Sequence, residues 1–431
     1  MKLIKSFSAY TLAGVYGAAA SFFVLPILSH YLSTADYGIL SIFNSYVLII
    51  MPLIGLVASG IISVEFFKIQ DKKEFASFFT SVQLIPIIPF VFFLVISFLF
   101  GGYLSRLLEI PTEFSNYLFL IPLIAILTIY IESYLAYLVV KKSAYHYLVV
   151  NIVKSSVEIG LTLLFVVYFD MGWFGRILSW LIASLLFTFV ASIYFYKEDL
   201  FSLKVTKKYV MAGVWFGLPL ILHTLGKFVI NQSDRIFIAK MVNVDEVGVY
   251  NIAYQLASIL LIFVSAFSNL YVPYLYERLA DFNKKTEKEI LQISYLYTVI
   301  LIAGTVIITF GSRFLFGWFI DVKFIGAIPY IFWISFSYFL WGMYALFSAY
   351  IYYFNKNKYL AYLSFINVIT NIAFNYIFIK QFGALGAAYA TCLSYFITLV
   401  MIIFFATRLV SISWFNVGFV FNGFFKVKDG K

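Results

Sequence analysis

The sequence predicts an all-α polytopic membrane protein of about twelve helices, arranged as two six-helix bundles related by an internal repeat. Three observations predict this fold class: an apolar composition, recurring apolar segments of membrane-spanning length, and two stretches that repeat at nearly one offset. Of the 431 residues, 63% are hydrophobic and 12% are charged, whereas a soluble protein of this length needs more polar surface. The apolar runs reach about 20 residues, enough to cross a hydrocarbon core roughly 30 Å thick.

Twelve candidate spans follow one another with short connections, so no soluble domain of useful size fits between them. A β-barrel would instead show alternating segments of about 10 residues. The first span has a basic start but is too long for a cleavable signal peptide. The spans are 7–30, 37–62, 76–101, 114–140, 145–169, 174–196, 210–240, 246–275, 290–311, 325–353, 359–380 and 384–408.

The distribution of basic residues predicts the topology. When the 30 Lys and Arg residues are sorted by alternate connections, 21 fall on one side and 6 on the other. Because cytoplasmic loops carry the excess of positive charge, both termini are predicted to be cytoplasmic. Topology therefore explains most of the net charge of +10, and the charge does not indicate nucleic-acid binding. The smaller group is Arg106, Arg176, Lys240, Arg313, Lys323 and Lys380, and the cations left inside spans are Lys154, Lys227 and Arg235.

An internal repeat relates the two halves of the chain. The stretch LSHYLSTADYGILSIFNSYV, residues 28–47, aligns without a gap with IAKMVNVDEVGVYNIAYQLA, residues 238–257, at an offset of 210. This alignment places Gly38 on Gly248. Because the residue identity is low, a second match is needed to support a duplication.

A second pair of segments supplies that match. The stretch FDMGWFGRILSWLIA, residues 169–183, aligns with KQFGALGAAYATCLS, residues 380–394, at an offset of 211. Its paired glycines predict a tight outer turn followed by close packing at a helix start. Two matches at nearly one offset indicate a duplicated six-helix unit. The glycine pairs are Gly172 with Gly383 and Gly175 with Gly386.

The duplication predicts the domain organisation. Residues 1–200 and 201–408 form the two six-helix bundles, and 409–431 form a cytoplasmic tail. Parallel repeats of this kind are typical of transporters, which place the substrate at the interface between the halves. The sequence contains no phosphate-binding Gly–Lys–Ser/Thr loop and no His–Glu–x–x–His motif, and its one cysteine, Cys392, has no partner. We therefore expect a transporter and not an enzyme, with no cofactor and no metal.

Three stretches resemble the Wzx-type flippases of bacterial polysaccharide units. They are NQSDRIFIAKMVNVDEVGVYNIAYQLAS (231–258), FINVITNIAFNYIFIKQFGALGAAYATCLSY (365–395) and LPILSHYLSTADYGILSIFNSY (25–46). The resemblance extends in order over nearly the whole chain. It implies the superfamily of the multidrug and toxin exporters and the lipid II flippase, a MATE-like fold in which two bundles surround a central cavity that opens alternately to each side. Lipid II flippases usually have two further helices, which the spans above do not include.

The resemblance also implies a substrate and a location. The substrate would be an oligosaccharide on a polyprenyl (undecaprenyl) diphosphate, moved from the cytoplasmic to the outer leaflet of the bacterial inner membrane. Such transport serves the biosynthesis of lipopolysaccharide O-antigen, capsule or exopolysaccharide. The bilayer is one partner, and a polysaccharide polymerase and a chain-length regulator are candidate partner proteins. A cation-coupled multidrug exporter and, from another class, a membrane polysaccharide polymerase remain alternatives.

The seventh span carries ionisable side chains inside an apolar run, HTLGKFVINQSDR. Spacings of three and four place His223, Lys227, Asn231 and then Asp234 or Arg235 on one helical face. Ionisable residues inside membranes face the bundle interior or a wet cavity, so Lys227 is the first candidate to compensate the diphosphate. Asp234 and Arg235 form either a structural or gating pair or a substrate contact. His223 is either a packing residue or a proton carrier.

Five further positions complete the set of candidates. Lys154 and Glu158, at i and i+4, either form an internal salt bridge or place Lys154 in a cationic cavity lining. Glu132 and Glu65 either pair with basic residues or carry a coupling cation. Asn371 is the centre of a stripe of asparagines at spacings of four. Such a stripe bonds helix to helix or contacts sugar hydroxyls.

Overall fold

The computed structural model describes residues 2–56, 58–107 and 112–414, and among them no β-strand occurs. The all-α class predicted from the sequence is therefore confirmed. The α-helices, in chain order, are α1 Lys2–Tyr31, α2 Thr34–Gly55, α3 Ala58–Glu65, α4 Lys72–Gln83, α5 Ile87–Leu107, α6 Leu120–Val140, α7 Ala144–Thr162, α8 Gly172–Lys197, α9 Lys207–Met241, α10 Val244–Ala280, α11 Lys284–Gly311, α12 Ile328–Tyr353, α13 Asn357–Phe382 and α14 Ala384–Thr407.

Two predicted spans are broken in the structure, which corrects the expectation of one continuous helix for each. The span at 37–62 divides into α2 and α3 after Leu56, which has a φ of 45° and donates its N–H to the carbonyl of Pro52. The span at 76–101 divides into α4 and α5 near Pro86. Proline lacks the backbone N–H that would continue the helical ladder, so α4 ends before it.

Ten helical segments of the described residues are long and apolar enough to cross a membrane, judged by length and composition. The two other long helices are α1, whose described apolar part is Phe22–Tyr31, and α9. The chain is therefore a multi-pass membrane protein, and the predicted spans match its helices in order.

The chain divides into two compact units. The first runs to Asn251 and also contains the short segment Phe319–Phe324, and the second contains Ile252–Trp318 and the residues from Ile325 onward. Helix α9 and the first turns of α10 therefore belong to the first unit. This division differs from the boundary after residue 200, which stays a prediction about the duplication.

The first unit has an aromatic core between α4, α6 and α8. Phe78 and Phe79 of α4, Tyr134 of α6 and Phe195 of α8 are all buried there. The rings of Phe79 and Phe195 meet edge to face with centroids 4.8 Å apart. This packing holds α6 and α8 together, and α7 connects them.

A close crossing of two helix starts, which we call the glycine crossing, shows the repeat in three dimensions. A Cβ built on Gly38 of α2 would lie 1.9 Å from the carbonyl oxygen of Val244, and one built on Gly248 of α10 would lie 1.9 Å from that of Thr34. Thr34 and Val244 are themselves equivalent at the offset of 210. The two contacts are thus reciprocal, as a local pseudo-twofold axis requires. All four residues belong to the first unit.

The caps of the same two helices follow the same offset. The Ser33 side chain accepts a hydrogen bond from the Asp36 N–H at 3.0 Å, and the Asn243 side chain accepts one from the Glu246 N–H at 2.7 Å. Both are N-cap interactions that satisfy a helix donor. Thr34 also donates its hydroxyl to Asp245 at 2.5 Å. The first repeat match is therefore visible in both packing and capping.

The second repeat match corresponds to the two helix starts that carry the paired glycines. Gly172 has a φ of 54° and Gly383 a φ of 61°, conformations that glycine adopts without a Cβ penalty. A Cβ on Gly386 would lie 2.1 Å from the carbonyl oxygen of Phe378, and one on Gly175 would lie 3.0 Å from Met171. The expected combination of a turn and close packing is present at both starts.

Candidate functional site

A buried ion pair with a tyrosine partner, the α9 triad, occupies the second half of α9. Asp234 and Arg235 are 2% and 4% exposed. The Arg235 Nη1 donates to Asp234 Oδ1 at 2.7 Å and to the Asn231 carbonyl at 2.8 Å. The hydroxyl of Tyr250, in the first turns of α10, donates to Asp234 Oδ2 at 2.9 Å. Asp234 is therefore satisfied through both carboxylate oxygens, as a buried charge requires.

The α9 triad has no charged counterpart in the other repeat. At the offset of 210, Asp234 corresponds to Val24, and Arg235 corresponds to Leu25. Leu25 is buried, so the equivalent position is part of an apolar core. The pair is thus an addition to one copy, because a residue pair that the fold required would be expected in both. Gln232, beside the triad, accepts a hydrogen bond from Ser45 of α2 at 3.3 Å.

Two predicted residues of α9 have only their backbone within the described structure. His223 and Lys227 lie in the helical backbone of α9, and their side chains lie outside the described residues. Asn231 is exposed, and its carbonyl accepts from Arg235. The predicted roles of His223 and Lys227 therefore stay predictions.

A second set of charges, the α7–α8 charge cluster, joins two neighbouring helices. Glu158 Oε2 lies 3.2 Å from Lys154 Nζ, and Glu158 Oε1 lies 2.9 Å from Arg176 Nη1. The same Arg176 nitrogen donates to the hydroxyl of Thr162 at 2.9 Å. The predicted salt bridge between Lys154 and Glu158 is present, but it is one half of a three-charge cluster. Arg176, which the topology count assigned to the outer side, lies in the second turn of α8.

The cluster adjoins an irregular helical turn. Leu163–Tyr168, directly after Thr162, form a π-helical segment in which the Phe169 N–H donates to the Leu164 carbonyl at 3.0 Å. Such π-bulges occur frequently at functional sites. On the other side of α7, the hydroxyls of Tyr16 and Ser156 are 2.7 Å apart, which joins α1 to α7. The helix α7 is therefore held to α8 through the cluster and to α1 through Ser156.

The two remaining acidic candidates lie apart from both sets. Glu132 of α6 is exposed and has no hydrogen-bond or ion-pair partner within the described part of the chain. Glu65, at the end of α3, pairs with Lys68 at 2.8 Å in an i, i+3 salt bridge. This pairing corresponds to the first of the two alternatives for Glu65, a salt bridge with a basic residue. The structure brings neither residue to the α9 triad or the α7–α8 charge cluster by a described contact.

The asparagine stripe of α13 is buried in the second unit. Asn375 donates its Nδ2 to the Oδ1 of Asn371 at 3.0 Å, and Asn371 is 1% exposed. Asn367 donates to the hydroxyl of Thr398 in α14 at 3.4 Å. The Asn367 bond therefore joins two helices, as expected for the stripe, whereas the described bond of Asn371 lies within α13, so its predicted alternatives stay predictions.

Three partners in these sets are absent from the predicted site residues: Arg176, Thr162 and Tyr250. Each lies 14 to 18 positions from the residue it contacts, so no helical spacing connects the two. The one sequence signal was the tyrosine of Val–Gly–Val–Tyr, which is part of the family resemblance. Within the described residues, no group of three or more His, Cys, Asp or Glu could hold a metal ion.

The fold is similar to the folds of solved membrane transporters. The chain is similar to an inward-facing multidrug resistance MATE family transporter of the MOP superfamily, with a TM-score of 0.70, 14% identity and coverage of 94% of this chain and 96% of that one. It is also similar to the lipid II flippase MurJ in an inward closed conformation, with a TM-score of 0.65, 16% identity and coverage of 94% and 87%. At these identities the likeness shows the fold.

The family follows from the sequence match. The family described as "Polysaccharide biosynthesis protein" matches residues 3–279, and the chain belongs to it. An Lsg locus protein of Haemophilus influenzae is 25% identical over 381 residues, 86% of this chain and 90% of that protein. An uncharacterized membrane protein of the same species is 26% identical over 403 residues, 92% of each chain. The resemblance predicted from the motifs is therefore confirmed.

Proposed function

We propose that this chain is a flippase for an oligosaccharide linked to a polyprenyl diphosphate. It carries this lipid from the cytoplasmic to the outer leaflet of the bacterial inner membrane, for the biosynthesis of O-antigen, capsule or exopolysaccharide. Undecaprenyl diphosphate is the expected carrier. The chain acts as a transporter and not as an enzyme, by alternating access between its two halves, with both termini in the cytoplasm.

The observation that carries the proposal is the set of cationic side chains inside apolar helices of the first unit. Lys154, Arg176 and Arg235 lie within α7, α8 and α9, where Lys154 and Arg176 share the carboxylate of Glu158 and Arg235 pairs with Asp234. A diphosphate is poorly tolerated in hydrocarbon. Cationic donors compensate it through charge-assisted hydrogen bonds. An excess of cations therefore suits an anionic headgroup better than a cationic drug.

The comparisons support the same choice of substrate. The family name associates the chain with polysaccharide biosynthesis, and one similar structure is that of a flippase for a lipid. A lipid anchor keeps a sugar at the membrane during polysaccharide biosynthesis. A transporter that acts in this process would therefore move a sugar attached to a lipid. A polysaccharide polymerase and a chain-length regulator are the partner proteins that such a pathway would supply.

The candidate residues take separate roles in this proposal. Lys227, near the middle of α9, is the first choice for a cation in the central cavity, and Asn231 and Arg235 follow it towards the outer end. His223 is a candidate for proton coupling because its ordinary pKa is near neutrality. The candidates for ion coupling or gating are Asp234, Glu132, Glu158 and Glu65.

A cation-coupled multidrug exporter is the second candidate function. The observation that favours it is the high structural likeness to a MATE family transporter. A polysaccharide polymerase is the third, and the fold described above gives it no specific support. The two transporter hypotheses differ in what accumulates when the protein is absent.

Deletion of the gene in its own bacterium tests the proposal. We expect loss of surface polysaccharide and accumulation of lipid-linked oligosaccharide that a lectin cannot reach from outside spheroplasts. Expression of the wild-type protein should restore both, whereas Lys227→Ala should not, because the cavity would lack its cation. Lys240→Ala is the matched control, since this lysine is exposed at the far end of the same helix.

Two outcomes would reject the flippase. Unchanged surface polysaccharide in the deletion strain, together with increased sensitivity to cationic dyes, would support the exporter. Lectin-accessible lipid-linked oligosaccharide that is not joined into longer chains would indicate a polymerase.

A further inference from the structure

The α7–α8 charge cluster combines features that its role as a salt bridge does not explain. Two cations, Lys154 and Arg176, share the single carboxylate of Glu158, so the cluster keeps one net positive charge. Glu158 alone would be enough to neutralise Lys154 inside the membrane. The second cation, Arg176, leaves the cluster with a positive charge that favours the binding of an anion.

The cations have unused donors. Both described contacts of the Arg176 guanidinium use Nη1, and its Nη2 and Nε donate to no described residue. Lys154 has three ammonium donors, and among the described residues only Glu158 accepts one. The Lys154 and Arg176 side chains keep 22% and 32% of their area exposed, against 17% for Glu158. An incoming anion could therefore reach both cations.

The geometry of Glu158 resembles that of the expected ligand. One carboxylate oxygen faces Lys154 and the other faces Arg176, so a single anion with two acceptor groups bridges two cations. A diphosphate offers the same pair of acceptors with more charge. Arginine binds phosphate oxygens through its planar fork, and lysine adds a point charge.

The position of the cluster fits a headgroup that crosses the membrane. Lys154 lies about 15 Å along α7 from Ala144, at 1.5 Å per residue, which is close to the middle of a roughly 30 Å core. Arg176 lies in the second turn of α8, which begins at Gly172. On the predicted topology, the two cations follow each other from mid-membrane towards the outer face.

The other half of the chain lacks this feature. Between Lys358 and Lys380, helix α13 contains no Lys, Arg, His, Asp or Glu. At the offset of 211, Arg176 corresponds to Ala387, which is fully buried. The cluster is therefore not a requirement of the duplicated fold.

We infer that Lys154 and Arg176 form a diphosphate-binding site in the first unit, and that Glu158 is the resident anion which the diphosphate displaces. The inference rests on the proposed function for the identity of the diphosphate, which belongs to the lipid carrier. Glu158 neutralises the two cations when the site holds no substrate. When the diphosphate binds, the Glu158 carboxylate moves away from both cations, and the two phosphoryl groups pair with them instead. No covalent bond forms or breaks.

Binding to purified full-length protein in a neutral detergent tests the inference, with geranylgeranyl diphosphate, inorganic pyrophosphate and geranylgeraniol as probes. Lys154→Gln and Arg176→Gln should each weaken diphosphate binding about tenfold, the effect of losing one charge-assisted contact. Glu158→Gln should tighten it about fivefold or more, because the competing anion is gone. Arg176→Lys should fall between wild type and Arg176→Gln, because it keeps the charge without the fork.

Lys141→Gln is the matched control, since Lys141 is also paired with a glutamate, Glu198 at 2.5 Å, and is similarly exposed. It should bind as the wild type does. Competition by pyrophosphate and not by geranylgeraniol would support a site for the diphosphate headgroup. Tighter binding of geranylgeranyl diphosphate than of pyrophosphate would indicate a further contact with the prenyl tail. Gel filtration and the unfolding midpoint identify any variant that fails to fold.

Three results would overturn the inference: geranylgeraniol binding as tightly as the diphosphate, Glu158→Gln weakening binding as Arg176→Gln does, or no diphosphate binding by the wild-type protein. Glu158→Gln is the decisive variant, because a merely structural Glu158 cannot tighten binding when it is removed. Binding is measured on purified protein, whereas the proposed function is measured in cells. Normal transport with unaltered binding in the variants would reject the site alone, and normal polysaccharide in the deletion strain would reject the function alone.

Discussion

The glycine crossing and the α9 triad both lie in the first unit, and they differ in their relation to the repeat. The glycine crossing is symmetric: Gly38 meets Val244 as Gly248 meets Thr34, and all four positions are related by the offset of 210. The α9 triad is asymmetric, because residues of the other repeat at its positions are apolar. One region therefore preserves the duplication and the other departs from it.

The difference separates what the fold needs from what function needs. Backbones approach closely at small residues, and a crossing of two duplicated helices requires a small residue on both. Buried charges are costly in a membrane and are retained where they serve a pathway or switch. A charged cluster that is present in one copy of the repeat is therefore a better guide to function than a packing motif that is present in both copies. The α7–α8 charge cluster follows the same asymmetric pattern.

The largest expected effect comes from breaking the α9 triad. Asp234→Asn keeps the volume but leaves Arg235 as an uncompensated buried charge, so we expect a loss of about 3–5 kcal/mol in the free energy of unfolding. Thermal or denaturant unfolding in detergent measures it. Glu132→Gln is the control, because Glu132 is exposed and makes no ion pair among the described residues. Equal stability of the two variants would show that the triad is not held as a buried charge network.

A smaller effect tests the symmetric region. Gly38→Ala and Gly248→Ala each insert a methyl group where a backbone carbonyl lies 1.9 Å away. Forced separation of packed elements costs about 1–3 kcal/mol, and the reciprocal geometry predicts similar losses for the two variants. Unfolding midpoints of the purified variants measure the loss.

Gly160→Ala is the control for the glycine crossing, since Gly160 is helical and has no atom within 4 Å of its Cβ position. It should raise stability by roughly 0.5–1 kcal/mol, because alanine favours the helix. A large loss at Gly38 with none at Gly248 would contradict the symmetry of the crossing.

The smallest effect concerns the asparagine stripe in the second unit. Asn371→Ala removes the acceptor for Asn375 within α13, and a typical hydrogen bond contributes about 0.5–1.5 kcal/mol to stability. We expect a loss of stability in this range and unchanged surface polysaccharide. The comparison is with Thr370→Ala, because among the described residues the Thr370 hydroxyl donates to carbonyls of its own helix. If Asn371→Ala were stable yet abolished polysaccharide export, the sugar-contact alternative would replace the packing interpretation.

Most of the fold could be predicted from the chain alone. Apolar segment length predicted the order of the helices, and glycines at one offset predicted the duplication. The errors were local: the breaks at Leu56 and Pro86 lie inside apolar runs, where hydropathy is insensitive to the helix geometry. Hydropathy is averaged over a segment of about 20 residues. It therefore locates a membrane span but does not detect a break of a few residues within that span.

The candidate site could be predicted only in part. The spacing of four between Lys154 and Glu158 predicted their salt bridge, because residues at i and i+4 are neighbours on a helix. Arg176 belongs to the next helix, and its partner depends on how α8 packs on α7. Tyr250 reaches Asp234 for the same reason, through the turn that joins α9 to α10.

The sequence by itself determined the membrane class, the repeat and the presence of ionisable residues in the fifth and seventh spans. These are properties of local composition and periodicity, which every helix carries before it packs. Only the tertiary structure decided that Gly38 and Gly248 cross each other, and that one carboxylate holds two cations. Contacts between helices depend on the rotation and crossing of whole elements, and no single segment of the chain contains that information.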